Sequence, residues 1–516
     1  MLNGNNFAKL LAKEAKNAYY VGGCLLDSLL GKYSGDVDLA LPREEVKETA
    51  QNLAHALKAA AFEMDPEFCV WRITTKEGLQ IDLSALEGNN ILTDLPRRDF
   101  TINALALPTV IQPEIKIKKD KNKTKVLISS FNKKELIDLN NGGKAIKSKK
   151  IIANNPKVFN ADPLRLFRAF RIAAERNFEI DKKTLALIKE NADKANIPSG
   201  ERIQEELKRL FRANNTAKYL EIMESLGLFK KLLPQLDSQK DCAECYYGKG
   251  GVWKHTLLVV ERIEFLLNNL KLCIPNFYKE LAPFCPDHAL YKMAAFLHDI
   301  AKPETAKMKD GRLRFFYHEQ QGARLAEKFL KELRYSSVEC KMIYKMINFH
   351  LRPSNLASNE IITDKGIYKF FKELGTAGIP LLFLCWADYT SYISMANLKK
   401  LLPKAKEPIM TIEEGKAMGA EGKTLRHLQM LNFLFNKYFT ERQKIILPQK
   451  LIDGKDIMNT LKLPSGKIIG IILEHLAETQ VEGKINTKEE ALVYLTKHKK
   501  ELLSLEVKNE RLIKKP

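Results

Sequence analysis

The chain has no apolar run that reads as long enough to span a bilayer. Its first residues also lack the basic, apolar and small-residue order of a secretory signal. Both absences predict a cytoplasmic protein without a membrane segment. Cysteine is sparse, eight in 516 residues, and scattered, which argues against a disulfide framework and suits a reducing compartment. The one Cys-x-x-Cys, Cys242 and Cys245, has no second pair at matching spacing, so it reads as two ordinary thiols rather than a zinc site. No internal repeat stands out. Acid is also under-represented: 63 Asp and Glu stand against 84 Lys and Arg, a formal net charge of +21. Such an excess favours a polyanionic partner, nucleic acid first, because phosphate neutralisation releases counterions. Lys-rich loops carry part of that charge.

What is present divides the chain into regions. From about residue 17 to 145, β-like runs (Ala18–Val21, Val37–Leu41, Cys69–Thr74, Leu79–Leu83) alternate with helical ones (Glu44–Ala61, Asn103–Leu107), which predicts one small α/β domain. The lysine-rich segment Glu114 to Lys134 reads as a solvated hairpin or loop. Beyond Pro163 the periodicity is helical. Leu164, Phe167, Ala169, Phe170 and Ala173 line an apolar stripe, while Arg165, Arg168 and Arg171 recur three apart. Ser199–Arg212 and Lys218–Leu226 continue as helices. Residues 245 to 395 hold five of the nine histidines, and charged helices punctuated by Gly and Pro follow.

The densest signal is Tyr20-Val21-Gly22-Gly23-Cys24-Leu25-Leu26-Asp27, followed by Asp36 and Asp38. A strand running into Gly-Gly predicts a tight turn where backbone can approach a phosphate, with a short helix from Asp27. Asp36 and Asp38 share one face of the next strand and can hold Mg²⁺ beside substrate phosphates. Asp82 is either a third carboxylate or a partner for a neighbouring turn. Arg97 and Arg98 offer forked donors to a triphosphate in front of Asp99 and Thr101, either of which could cap a helix. Asp162 and Arg165, one turn apart at the start of a Pro-led helix, supply the acceptor and donor needed to read a base edge.

Together these motifs resemble the class II tRNA nucleotidyltransferase and bacterial poly(A) polymerase family. The pattern there is Gly-Gly-x-Val-Arg-Asp, Asp-x-Asp, Arg-Arg-Asp-Phe-Thr-Ile-Asn-Ala, Glu-Asp-x-x-Arg, then Glu-Arg-Ile with a later Glu. The last is matched by Glu201-Arg202-Ile203 and Glu205. The resemblance implies an α+β chain: a polymerase-β-like α/β head (1–147), a helical neck with base recognition and RNA binding (148–240), a metal-binding helical domain (241–395) and a helical tRNA-binding tail (396–516). It implies that Asp36 and Asp38 hold the catalytic metals and that Gly22, Gly23, Arg97 and Arg98 contact the nucleotide. Asp162 and Arg165 would recognise the base of CTP or ATP, supported by Arg168 and Arg171. Two positions depart from the family: Leu26 stands where it has Arg, and Ala161 where it has Glu. The connector Ser84 to Pro96 is also short, as in members that stop after two cytidines.

His255, His298-Asp299, His318, His350 and Asp388 follow in an order that resembles the HD phosphohydrolase superfamily. By that resemblance His255, His298, Asp299 and Asp388 hold one divalent metal and His318 with His350 could hold a second. Mixed imidazole and carboxylate ligands suit Mn²⁺ or Ni²⁺, and Lys302 could contact a phosphate. The expected activity is template-independent addition of C, A or both to tRNA 3′ ends from CTP and ATP, using Mg²⁺, with no obligate protein partner. The alternatives are a poly(A) polymerase and an HD phosphohydrolase with a degenerate RNA-binding head.

Overall fold

Period-two alternation in short apolar runs builds the sheet of the first unit. Strands β1 (Tyr19–Val21), β2 (Asp36–Leu41), β3 (Ala60–Asp65), β4 (Val70–Thr74), β5 (Gln80–Ala85) and β6 (Leu105–Pro108) precede a hairpin of β7 (Glu114–Asp120) and β8 (Lys123–Ser129) and the short β9 (Ile137–Asp138). The mixed sheet runs β3-β4-β5-β2-β1-β6-β9. Strand β2 lies parallel to β5, with Asp38 opposite Asp82, and antiparallel to β1. Val37 and Leu39 are buried, so Asp36 and Asp38 emerge together on the opposite face.

This computed structural model describes residues 3–120, 123–357 and 362–505. Residues 1–2 of the expected head, 121–122 of the lysine-rich segment and 506–516 of the expected tail lie outside the described residues. The chain forms two units, residues 1–213 with 221–232, and residues 214–220 with 233–516.

Three local expectations for the first unit are corrected. The helix expected over 44–61 runs Val46–Leu57, ends where Lys58 turns left-handed at φ 50°, and gives way to edge strand β3. The stretch Asn103–Leu107 is not helical, because Leu105, Ala106 and Leu107 are fully buried in strand β6 between β1 and β9. Hairpin β7–β8 is only half solvated: Ile115, Val126 and Ile128 are buried while its lysines face out. Beyond the sheet, β10 (Lys150–Ile151) and β11 (Glu179–Ile180) pair in parallel around the Arg165–Arg176 helix, which packs on the Gly200–Arg212 helix.

Among the described residues the second unit is helical apart from one unexpected antiparallel hairpin, β12 (Ala306–Lys309) and β13 (Arg312–Phe315). Its bundle includes helices Gly251–Asn268, His288–Leu297, His318–Glu332, Ser337–Asn348 and Gly378–Thr390. One stretch, Asp364–Thr390, is long and apolar enough by length and composition to cross a membrane, at mean hydropathy 1.3, which corrects the sequence expectation. The bundle hides 78% of that window, and Gly375 breaks the helix near its middle, so its apolar surface serves the protein core. Nearer the C-terminus, helices Gly454–Leu461, Lys467–Val481 and Lys488–Lys497 close over Ile457, Leu461, Ile472 and Leu495.

Candidate functional site

In the first unit a cleft of about 540 Å³ is lined by Gly22, Gly23, Asp36, Asp38, Arg98, Asp162, Arg165, Arg168 and Arg171. Strand β1 ends at Val21 and the chain turns directly into a helix, Gly22–Leu29, with Gly22 at φ 64°. A Cβ on Gly22 would lie 3.2 Å from Asp38 Oδ2, and the Cys24 N–H donates to that oxygen at 3.3 Å. Only glycine therefore combines this turn with so close a carboxylate. Burial first, then the neighbouring Asp36 charge, push the Asp38 carboxyl up to about 7. Ser34 Oγ donates to Asp36 Oδ1 at 2.8 Å. Two oxygen donors crowded together at such a cost fit a hard divalent cation, which would relieve their repulsion.

Asp82 does not line this cleft. Arg72 on the neighbouring strand β4 grips it with two prongs, Nε to Oδ1 at 2.7 Å and Nη2 to Oδ2 at 2.6 Å, so its partner is a strand residue and not the turn expected. Arg97 is also outside the lining and pairs with Glu87 on the exposed side of the Leu95–Arg97 turn. Successive residues of that turn diverge, so Arg98 alone faces the cleft, steadied by Asp94 at 2.8 Å. Neither Asp99 nor Thr101 caps a helix through its side chain. Asp99 instead takes the Arg168 guanidinium at 2.8 Å. Burial would raise its carboxyl, but Arg168 and hydrogen bonds from Asn103 and Phe100 hold it below the usual range.

The neck helices form a ladder that their sequences conceal. Arg202 reaches Asp162 at 2.8 Å, Glu206 takes Arg171 at 2.5 Å, and Arg209 takes Glu175 at 2.8 Å. Positions three and four apart share a helix face, and the acid buried by this face is Glu206, whereas Glu205 is exposed. Breaking a buried pair such as Arg171–Glu206 costs about 3–5 kcal/mol, because the remaining charge stays buried. Arg171 therefore organises the wall of the cleft. Leu26, in place of the family arginine, is buried in the lining, and Arg176, Arg209 and Arg98 keep the cleft cationic without it. Sequence reading missed Asp99 as an arginine anchor, and also Arg176, which pairs with Asp27 across 149 positions.

The connector after β5 is folded. Short turns Glu87–Asn89 and Ile91–Asp94 follow it, and Ile91 and Leu95 join Val21, Ala40 and Ala106 in one buried cluster.

The second unit gathers the histidine set into one buried centre. His255 Nε2 lies 3.3 Å from Asp299 Oδ2 and 3.3 Å from Asp388 Oδ1, and His298 Nε2 lies 3.1 Å from Asp299 Oδ2. His318 and His350 approach Asp299 Oδ1 at 3.6 and 3.8 Å. Potential ligand atoms of His255, His298 and Asp299 cluster within 4.8 Å, as do those of Asp299, His318 and His350. Nδ1 of His298, His318 and His350 faces the carbonyls of Ala295, Phe315 and Ile347 at 2.8, 2.8 and 2.7 Å. Those carbonyls require an N–H there, which leaves Nε2 as the free lone pair pointing inward. Burial and the nearby His318 push His350 down to about 3, so it is neutral. His318 Nε2 and Asp299 Oδ1 are buried without a hydrogen-bond partner among the described residues. Such orphans fit a bound divalent cation. Lys302 Nζ touches Asp299 Oδ2 at 2.5 Å and donates to the Tyr247 hydroxyl at 2.6 Å, and the Tyr247 ring stacks on His255. A larger cavity in this unit, about 860 Å³, is walled by Phe284, Tyr438, Leu451 and Leu476, and Glu474 is the only acid in its lining.

A strand-borne Asp-x-Asp facing a Gly-Gly helix start and a wall of arginines defines a nucleotidyltransferase head. Known proteins agree. The family described as "Poly A polymerase head domain" matches residues 18–152, "Probable RNA and SrmB- binding site of polymerase A" matches 177–240, and "HD domain" matches 252–393. The A-adding tRNA nucleotidyltransferase of Deinococcus radiodurans is 25% identical over 93% of this chain and 94% of its own length. The CC-adding tRNA nucleotidyltransferase of Geobacter sulfurreducens is 27% identical over 93% and 91%. A solved CCA-adding enzyme with CTP shares the fold at TM-score 0.58 and 20% identity, over 95% of this chain and 94% of that one. The chain belongs to the tRNA nucleotidyltransferase and bacterial poly(A) polymerase family, in its HD-containing form.

Proposed function

We propose that this chain extends tRNA 3′ ends with C, A or both, from CTP and ATP and without a template, in the cytoplasm. The observation that carries this reading is the single cleft holding Asp36, Asp38, the Gly22 turn and Arg98, Arg165 and Arg168. The tRNA 3′-oxygen attacks the α-phosphorus, its proton leaves to water, and the bond to the β-phosphate breaks to release pyrophosphate. Asp36 and Asp38 would hold Mg²⁺, which supplies electrostatic stabilisation of the in-line displacement. Arg98, Arg168 and Arg176 bind and orient the triphosphate as charge develops. Asp162 and Arg165 present acceptor and donor to the base edge, and Arg202 fixes the Asp162 carboxylate. In this reading residues 1–147 are the head, 148–240 the neck, 241–395 the HD domain and 396–516 a basic tail along the tRNA.

Asp162→Ala and Arg165→Ala are expected to reduce the preference for CTP and ATP over UTP and GTP by about tenfold or more, since each base-reading pair is worth about 1–3 kcal/mol. Single-turnover incorporation of each nucleotide measures this, and wild-type proportions in both variants would place base reading elsewhere.

The finer reading is a CC-adding specialist. Relatives at 25% and 27% identity carry opposite names, so overall similarity does not choose between them. The Ser84–Pro96 connector supports the CC reading: it is short and packs Ile91 and Leu95 into the head core, which would leave it little reach to reshape the site for adenosine. Purified protein given tRNA ending before, within and after CCA is expected to add cytidines efficiently and the terminal A poorly. Efficient A addition to a tRNA ending in CC would remove the specialist reading.

A second reading concerns the HD centre, favoured by its inward Nε2 atoms and orphaned Asp299 Oδ1. His255, His298, Asp299 and Asp388 would hold a transition metal such as Mn²⁺ or Ni²⁺, with His318 and His350 available to a second, supplying an activated water. The substrate class is a 2′,3′-cyclic or terminal phosphate on RNA ends. Water adds to phosphorus, the P–O3′ bond breaks, and the 3′-oxygen takes up a proton to become the free hydroxyl the head requires. Lys302 is positioned to meet the phosphate.

A further inference from the structure

We propose that the β12–β13 hairpin is a single-strand RNA arm of the HD centre, so that this centre acts on phosphates at the ends of RNA strands in preference to free nucleotides. The proposal rests on the hydrolytic reading above. The hairpin follows the Lys302–Thr305 turn directly, and only Phe316 and Tyr317 separate its end from His318, so it lies between two elements of the centre. Its turn is Asp310-Gly311, both left-handed at φ 51° and 69°, the geometry that makes a tight two-residue hairpin.

Register places Lys307 opposite Arg314 and Lys309 opposite Arg312. Alternation along each strand puts all four cations on one face and Ala306, Met308, Leu313 and Phe315 on the other. The four are exposed, and among the described residues none is in an ion pair. Like charges directly opposite on a sheet destabilise it. Other lysines of this unit do find acids, as Lys365 and Lys369 meet Glu478 and Lys372 meets Glu474. What sets these cations apart is their placement: two facing rungs beside the HD centre, met among the described residues by no carboxylate and only by the Phe316 ring 5.6 Å from Lys309 Nζ, and a run of phosphates is the complement that satisfies both rungs at once.

The opposite face ties the arm to the chemistry. Phe315 lies 5.5 Å below Lys302 Nζ, the same ammonium that touches Asp299, and the Tyr246 hydroxyl donates to the Leu313 carbonyl at 2.9 Å. Tyr317 holds a left-handed backbone at φ 63° with its ring 69% exposed, immediately before His318, and Phe316 is 41% exposed. A non-glycine residue held there is strained, and exposed rings flanking a cationic track are what single-stranded bases stack on.

The test uses the full chain loaded with Mn²⁺ or Ni²⁺ and two probes, a short oligoribonucleotide ending in a 2′,3′-cyclic phosphate and 2′,3′-cyclic AMP. Reversing all four charges (Lys307→Glu, Lys309→Glu, Arg312→Glu, Arg314→Glu) should lower the oligonucleotide-to-mononucleotide ratio of kcat/KM by about tenfold or more. The slope of log KM against log salt for the oligonucleotide should flatten by about 0.7 for each phosphate that the arm no longer neutralises. Lys307→Arg with Lys309→Arg keeps the charge and should keep the ratio. An unchanged ratio in the reversed variant, or an equal decrease on both probes, overturns the arm. If wild-type protein hydrolyses neither probe, the hydrolytic reading fails by itself. Photocrosslinking of a 3′-terminal 4-thiouridine oligonucleotide then decides the arm separately: adducts within residues 306–317 that vanish on charge reversal support it, and their absence in wild type overturns it.

Discussion

Asp36→Ala and Asp38→Ala are each expected to cut CTP incorporation by about 10³-fold or more, the scale for removing a main electrostatic contact to the transition state, while tRNA affinity stays within about twofold. The two effects separate because different groups carry them. Addition depends on two carboxylates that would position a cation against the phosphates, whereas tRNA affinity comes from basic contacts spread over the surface. Asp38 also accepts the Cys24 N–H at the start of the Gly22–Leu29 helix, so alanine there removes a structural bond as well. Asp38→Asn keeps an acceptor and nearly the same volume and discriminates the two losses. Equal inactivity of the Ala and Asn variants, with unchanged circular dichroism, locates the defect in metal holding. Wild-type incorporation in both Ala variants would end the polymerase assignment.

The double substitution His298→Ala with Asp299→Ala should abolish divalent metal retention by the HD centre and any hydrolysis there, and leave C addition within about twofold. Asp299 is common to both ligand triads, so its loss strikes both positions. It also leaves Lys302 as a buried unpaired cation, at a cost of about 3–5 kcal/mol that could loosen the bundle. His318→Ala with His350→Ala avoids that cost, because both imidazoles lie 3.6 Å or more from Asp299, the Lys302–Asp299 pair is kept, and the Glu319 carboxylate 3.4 Å from His318 Nδ1 is partly exposed to water. Metal content by mass spectrometry after gel filtration reads both variants. Full metal retention in the His298/Asp299 variant would show that the cluster is not the binding site.

Much of the head was legible because its signals are local. A Gly-Gly turn and an alternating strand each declare themselves within a few residues, and Asp36, Asp38, Arg98, Asp162, Arg165 and Arg168 all reach the cleft, although the helix expected to open at Pro163 begins at Arg165, after a turn over Pro163 and Leu164. Arg97 did not, since a one-residue step in a tight turn reverses direction, which composition does not register. The strand at Leu105–Pro108 was misread for a related reason: a short apolar run looks the same in a helix or a buried strand until its neighbours are known. The histidine order announced a cluster able to hold a metal. The inward Nε2 lone pairs, however, depend on carbonyls at helix ends, visible only once those ends are placed.

By itself the sequence determined the class of the chain, the carboxylate pair, the imidazole set and the basic excess, all of which are choices of residue type at short spacing. Tertiary structure decided which charges are neutralised and which are left over. Asp82 is spent on Arg72 and Arg171 on Glu206, whereas the four cations of the β12–β13 hairpin meet no carboxylate among the described residues. The reason is that pairing depends on distances between segments as far apart as Asp27 and Arg176. Periodicity along one segment carries no information about what another segment brings to meet it.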